Sequence, residues 1–287
     1  MRLSPLEYAM GVAVPLTWGM GFVFAKGAIE HFPPIFLMSL RFIVTALALV
    51  WFVPVPRTQF KQIFVLTFIS ATIQYSLTFT GLKALDASVA ILIVQLEVPF
   101  LVLLGAIFLK ETVGWRKWIG MALAFVGVAF IAGTPKINID WVAFLMVIGG
   151  AFTWAVGQAL ARKLHGVEGM SLTAWVAVFA APQLLIMSLI FEDNQLQAVA
   201  SANWTVWATV IYLGLVMTAF GYGIWYTLVR RHPLNLVGPF LLLLPVLSII
   251  GAAIFLGEKL TFEIALGAAI VIAGIAIIIW EPRKSRH

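Results

Sequence analysis

Apolar runs of about 20 residues recur ten times along this chain, separated only by short polar breaks. A run of that length crosses a roughly 30 Å hydrocarbon core as an α-helix, because every backbone hydrogen bond then closes within the segment. The runs cover residues 6–25, 35–53, 60–82, 87–109, 117–132, 140–161, 172–190, 204–228, 234–256 and 262–280. Strands of a membrane barrel would alternate polar and apolar residues, whereas these runs are apolar on all sides. With 62% hydrophobic and 10% charged residues and a mean hydropathy of +1.05, the chain departs far from soluble usage. The expected fold is an all-α membrane protein of ten transmembrane helices.

The first run has no small-residue cleavage site and leads directly into the second, so it reads as a membrane helix rather than a secretory leader. No cysteine is present, which removes disulfides, thiolate metal sites and cysteine nucleophiles. The net charge of +6 sits in the short loops. If the N-terminus is cytoplasmic, thirteen Lys and Arg residues fall in cytoplasmic segments and four in outer loops, placing both termini inside by the positive-inside bias. The basic balance is then a topology signal, and its natural counterpart is anionic lipid rather than nucleic acid.

The block from Phe100, FLVLLGAIFLKETVGWRKWIGMALAFVGVAFI, is repeated from Val246 as VLSIIGAAIFLGEKLTFEIALGAAIVIAGIAIII. Glu111, Gly120 and Gly127 match Glu258, Gly267 and Gly274 at a spacing of 147, and Pro99 matches Pro245 once one gap is allowed. Thr17, Trp18 and Gly21 match Thr153, Trp154 and Gly157 at a spacing of 136. The expected organisation is a first five-helix unit over residues 1–134 and a second over 138–287, joined by GTPKINID. Five is odd, so the second unit enters the membrane from the opposite side. Such an inverted repeat places a site between the halves near the midplane, as alternating access requires.

The TW pair near the start of each half, the block from Pro99 to Glu111 and from Pro245 to Glu258, and the glycine-rich helix after it resemble the EamA-type drug/metabolite transporters. Within that family the chain is most similar to bacterial aromatic amino-acid exporters. The resemblance implies a basket of ten helices in the bacterial cytoplasmic membrane, with helices 1, 3, 4, 6, 8 and 9 around a central cavity and helices 5 and 10 packed behind. It implies a secondary transporter, not an enzyme, that exports amino acids, aromatic ones included, and related metabolites by alternating access. No cofactor is expected, the partners are a small-molecule substrate and the bilayer, and the chain is expected as a monomer. Carriers of nucleotide sugars, phosphorylated metabolites or cationic drugs are the alternatives, followed by a lipid scramblase or a membrane-embedded enzyme. Phosphate carriers need buried cations, and Arg41 is the only deeply placed one.

Gly120, Ala124 and Gly127 share one face of helix 5, and Gly267 and Gly274 one face of helix 10; small residues there let backbones approach closely. Glu97 lies ten residues into helix 4, about 15 Å deep. A central charge costs about 2.5–3.5 kcal/mol on insertion scales, so ionisable groups there face a water-filled cavity or a partner. The repeat counterpart of Glu97 is Leu243, which points to a task such as binding a substrate amine or a proton. A structural partnership with Arg41, or protonation in place, is the competing reading. Pro99 and Pro245 each remove an intrahelical hydrogen bond and serve as hinges or as fixed bends.

The cavity lining is expected from Trp18 and Phe22 on helix 1, Gln74, Tyr75, Thr78 and Phe79 on helix 3, and Gln95 and Glu97 on helix 4. Trp154 and Gln158 on helix 6, and Tyr222 and Trp225 on helix 8, complete it. Aromatic walls with a few amides and hydroxyls suit an apolar or aromatic solute, although most aromatics in such a chain face lipid or core. The four histidines fall in loops or at the terminus and read as solvated, with no metal-ligand spacing. Glu111 and Glu258 read as loop contacts. No HExxH, GxSxG or GxxxxGK[ST] occurs, which leaves protease, hydrolase and nucleotide-driven pump without support.

Overall fold

A computed structural model of the protein describes residues 3–108, 113–134, 140–161, 164, 166–232 and 234–279. Among them all regular structure is helical. Ten helices are long and apolar enough to cross a membrane: Pro5–Ile29 (α1), Pro34–Phe52 (α2), Arg57–Ala84 (α3), Ala87–Phe108 (α4), Trp115–Ala132 (α5), Trp141–Ala161 (α6), Gly169–Phe191 (α7), Trp204–Arg231 (α8), Gly238–Leu256 (α9) and Phe262–Ile279 (α10). They match the expected spans to within a few residues.

Helix ends leave N–H and C=O groups without intrahelical partners, and near a bilayer these must be met by protein. At α1, Ser4 Oγ accepts from the Glu7 N–H at 3.3 Å while the Glu7 carboxylate accepts from the Ser4 N–H at 2.9 Å, a capping box with Pro5 in the first helical position. At the face carrying the α1–α2 turn, charged side chains from other elements close three further ends. Glu192, just past α7, accepts from the Ile35 and Phe36 N–H groups of α2 at 2.8 and 3.0 Å. Glu258, just past α9, accepts from the Ala87 and Ser88 N–H groups of α4 at 2.6 and 3.0 Å. Lys26 of α1 donates to the carbonyls of Leu82, Lys83 and Leu85 at the end of α3 at 2.8, 3.0 and 2.8 Å. Each charge has the sign that the helix dipole favours at that end.

Glu258 is thus a helix cap; its counterpart Glu111 lies outside the described residues. The solvated reading of the histidines is corrected at two positions. His31 Nε2 lies 2.8 Å from the Ala198 carbonyl oxygen, and His232 Nε2 lies 2.7 Å from Glu7 Oε1. Each ring reaches an element far along the chain, the α7–α8 connection for His31 and the first turn of α1 for His232. His165 and His287 lie outside the described residues.

Four membrane helices are interrupted. Residues Phe68–Ile73 of α3 and Tyr212–Phe220 of α8 are π-helical, and the first segment shifted by the 146 residues that relate Pro99 to Pro245 falls inside the second. In α4 the Leu96 N–H bonds the Ile93 carbonyl at 3.0 Å and the Val98 N–H bonds the Gln95 carbonyl at 3.3 Å. Pro99 has no N–H for that Gln95 carbonyl, and Val98 takes its place by a tighter turn. In α9 a 3₁₀ stretch, Gly238–Leu242, precedes the α-helical Leu243–Gly251. Pro99 and Pro245 are each the third residue of the α-helical segment after the break.

α5 packs extensively along α10, on the face predicted from the small residues. A methyl group on Gly120 would lie 2.6 Å from the Gly274 carbonyl oxygen, and one on Gly127 would lie 3.1 Å from that of Gly267. Ascending α5 therefore means descending α10, and the two helices are antiparallel. The contacts are also reciprocal. Gly120 meets the counterpart of Gly127, and Gly127 meets the counterpart of Gly120, which is how a two-fold relation appears at a contact.

The same reciprocity links α2 to α8 and α7 to α3. Arg41 Nε donates to Thr218 Oγ1 at 2.9 Å, and Thr72 Oγ1 donates to Gln183 Oε1 at 2.6 Å. Thr72 and Thr218 are 146 positions apart and both lie in the π-helical segments. Between the two pairs, α2 packs along α7, with Ser39 Oγ donating to the Ala181 carbonyl at 2.8 Å.

Candidate functional site

Trp18 of α1 reaches α8, where its ring centroid lies 4.8 Å from Tyr222 and 6.2 Å from Trp225. Gly221 makes this approach possible, because a Cβ there would sit 2.5 Å from Trp18 Nε1. Tyr222 continues to Tyr226 at 5.9 Å. The indole N–H of Trp18 is buried without a hydrogen-bond partner among the described residues, as are Gln74 Oε1, Ser76 Oγ and Ser248 Oγ. Buried polar atoms are nearly always paired in folded proteins. The unpaired ones lie on α1, α3 and α9, and all are buried.

A second aromatic group lies where α1, α2 and α3 meet. Tyr75 stacks on Phe79 at 5.6 Å, and Phe79 lies 5.8 Å from Phe22. The Arg41 guanidinium is 4.8 Å from the Tyr75 ring centroid, and Nη2 donates to the Tyr75 hydroxyl at 3.3 Å. Phe22 and Phe79 are buried. So is Thr78, whose Oγ1 accepts from Gln74 Nε2 at 3.2 Å and packs tightly on Gly150 of α6. These three expected cavity residues sit among protein neighbours, while Tyr75 of the same helix stays partly buried.

Gln95 and Glu97 occupy the break in α4, and both are partly buried. Arg41 is not the partner of Glu97. Among the described residues no carboxylate lies within ion-pair distance of Arg41, whose hydrogen-bond partners are Thr218, Tyr75 and the Met38 sulfur. The structural pairing considered from sequence is therefore not formed. Through Arg41, the Tyr75 ring of α3 and Thr218 of α8 meet α2 at one place. Trp154 and Gln158 on α6 are partly buried. Thr218, Ser248 and Ser76 were not singled out from sequence; the available signal was polarity within apolar runs, with Thr218 matching Thr72 across the repeat.

A cavity of about 1050 Å³ lies elsewhere, at the face carrying the α1–α2 turn. Lys26, Phe32, Ser76, Lys83, Met146 and Glu192 are among its lining residues, and none of the expected solute-binding residues lines it. Beside it stands Asp86, the N-cap of α4. Burial pushes the Asp86 carboxyl above its ordinary value, and nearby Glu258 adds to the effect while Lys26 opposes it.

The chain matches the EamA-like transporter family over residues 5–133 and again over 141–280. It is 31% identical to a Salmonella typhimurium protein named a probable amino-acid metabolite efflux pump, over 99% of this chain and 98% of that one. A protein of the same name from Escherichia coli is 29% identical over 98% and 97%. One from Streptantibioticus cattleyicolor, named a probable terminal-alkyne amino-acid exporter, is 28% identical over 97% and 94%. A solved crystal structure aligns with a TM-score of 0.68 at 17% identity over 94% of each chain, which shows a shared fold. The chain belongs to the EamA-like transporter family, and it is a multi-pass membrane transporter, not an enzyme.

Proposed function

From membership of that family as premise, we propose that the chain exports amino acids, aromatic ones included, and related metabolites from the bacterial cytoplasm by alternating access. The observation that carries the proposal is the reciprocity of contacts between the halves: α5 on α10, and α2 on α8 with α7 on α3. It supports two inverted five-helix repeats over residues 1–134 and 138–287, related by an axis in the membrane plane. Such an axis gives two mirror-like ways of closing, one for each side of the membrane. In this reading both termini are cytoplasmic and the face carrying the α1–α2 turn is the outer one. The matched breaks at Pro99 and Pro245 are the flexible points.

The solute sits between Trp18, Tyr75, Glu97, Trp154, Tyr222 and Trp225. The unpaired indole of Trp18 and the amides Gln74, Gln95 and Gln158 orient it. The relatives named as amino-acid exporters support the solute class. The test is uptake by proteoliposomes of phenylalanine, threonine and a nucleotide sugar, measured against protein-free vesicles. Transport of the two amino acids is expected; transport of the nucleotide sugar alone overturns the assignment.

A further inference from the structure

Arg41 is 1% exposed, lies within a membrane-spanning helix, and meets only neutral groups among the described residues. Two of its five N–H donors bond hydroxyl oxygens, Thr218 Oγ1 at 2.9 Å and Tyr75 Oη at 3.3 Å, and a third has only the Met38 sulfur at 3.8 Å. A buried cation without a counter-ion is costly, and chains keep one where it has a task.

The other half of the molecule separates the architectural need from the charge. Where α2 holds the π-helical turn of α8 through Arg41 and Thr218, α7 holds the π-helical turn of α3 through Gln183 and Thr72. Gln183 does so with a neutral amide, and its nitrogen also reaches the Phe64 carbonyl at 3.5 Å. The helix contact therefore needs a polar side chain, not a positive one. Thr218 has its own hydroxyl hydrogen committed to the Leu213 carbonyl at 2.8 Å, which fixes its lone pairs toward Arg41 and holds the guanidinium in a set orientation. The Tyr75 ring does the same from beneath at 4.8 Å.

We propose that Arg41 binds the carboxylate of the transported solute, with Tyr75 and Thr218 as the residues that hold its guanidinium ready. A guanidinium offers paired parallel donors that fit a carboxylate, which an amide at the same place does not. The aromatic groups next to it, Tyr75 and Phe42, suit a solute whose acid is attached to an apolar body. The proposal rests on the export reading above, and it adds a discrimination that reading lacks: a carboxylate-bearing solute is preferred over the same molecule with the acid converted to an amide.

The experiment compares uptake of phenylalanine and phenylalaninamide by the full chain in proteoliposomes, for the wild type and for Arg41→Gln, the residue type used in the other half. The wild type is expected to prefer phenylalanine, and Arg41→Gln to lower the phenylalanine-to-amide ratio by about tenfold or more. A ratio that stays unchanged while both rates fall together marks a purely structural role and overturns the proposal. If the Gln variant does not fold, Arg41→Lys is used; it keeps the charge but loses the paired donors and is expected to lower the phenylalanine-to-amide ratio, and a folded Lys variant with an unchanged ratio overturns the proposal. A wild type that carries neither compound removes the export reading itself, and this proposal with it.

Discussion

The Glu258 carboxylate, in the turn after α9, accepts hydrogen bonds from both the backbone N–H and the hydroxyl of Ser88 in the first turn of α4. One side chain from the second half thereby completes the N-terminus of a helix in the first. Glu258→Ala leaves two amide N–H groups of α4 without that acceptor and is expected to cost about 1–2 kcal/mol. Thermal unfolding in detergent should show a melting point lower by several degrees; an unchanged one would remove the cap from the account.

The seam between α5 and α10 gives a steric prediction. At Gly120 and Gly274 an added carbon would lie 2.6 Å from the facing backbone oxygen, and neither rigid helix can give way. Gly120→Val should therefore cost about 3 kcal/mol or more and yield little monodisperse protein by size-exclusion chromatography. Gly114→Ala, in open space just before α5, is the matched control and should behave like the wild type.

Asp86 predicts a dependence on pH. Its folded carboxyl is raised above the ordinary 3.8, so the folded state holds the proton more tightly than the unfolded chain does. The favourable contribution of the protonated form is complete below that ordinary value and is lost as pH rises through the folded one. Asp86→Asn keeps an N-cap side chain without the charge. Its melting point relative to the wild type should rise between pH 4 and pH 7, and a difference independent of pH would contradict the sign.

Glu97 and its counterpart Leu243 give a test of stability against function. Glu97→Leu removes an unpaired carboxylate from membrane depth, worth about 2.5–3.5 kcal/mol on insertion scales. The variant should melt higher than the wild type yet carry phenylalanine at least about tenfold more slowly. Transport at the wild-type rate would place the carboxylate outside the solute path. Glu97→Gln compared at two pH values then addresses coupling: an unchanged rate and pH response means that the group carries no proton.

The parts of this fold legible in the sequence were those set by one helix at a time. Ten apolar runs marked the spans, and glycines in helical register marked the α5 and α10 faces before their pairing was known. Contacts that depend on which helices adjoin were not legible. Nothing near Lys26 names the carbonyls of Leu82 and Leu85, and nothing in the short loops foretells that His31 reaches Ala198 or that His232 reaches Glu7. Arg41 was visible as a deep cation, but its partners lie 34 and 177 residues away. The π-helical turns of α3 and α8 carry no local signature, and their matching positions appear only in the structure. Of the expected solute-binding residues, the structure gathers Trp18, Tyr222 and Trp225 into one wall and sets Tyr75 beside Arg41, while Phe22 and Phe79 are buried against each other and Thr78 against Gly150 of α6.

The glycine seam has a further consequence for how such a chain assembles. On the proposed repeat, Gly120 and Gly127 between them hold both sides of the fit, so a copy of the first half would present a surface complementary to another copy inserted upside down. On that reading the covalent link between the halves fixes stoichiometry, and recognition is left to the seam. Cut there, the two pieces made together in one cell should still find each other.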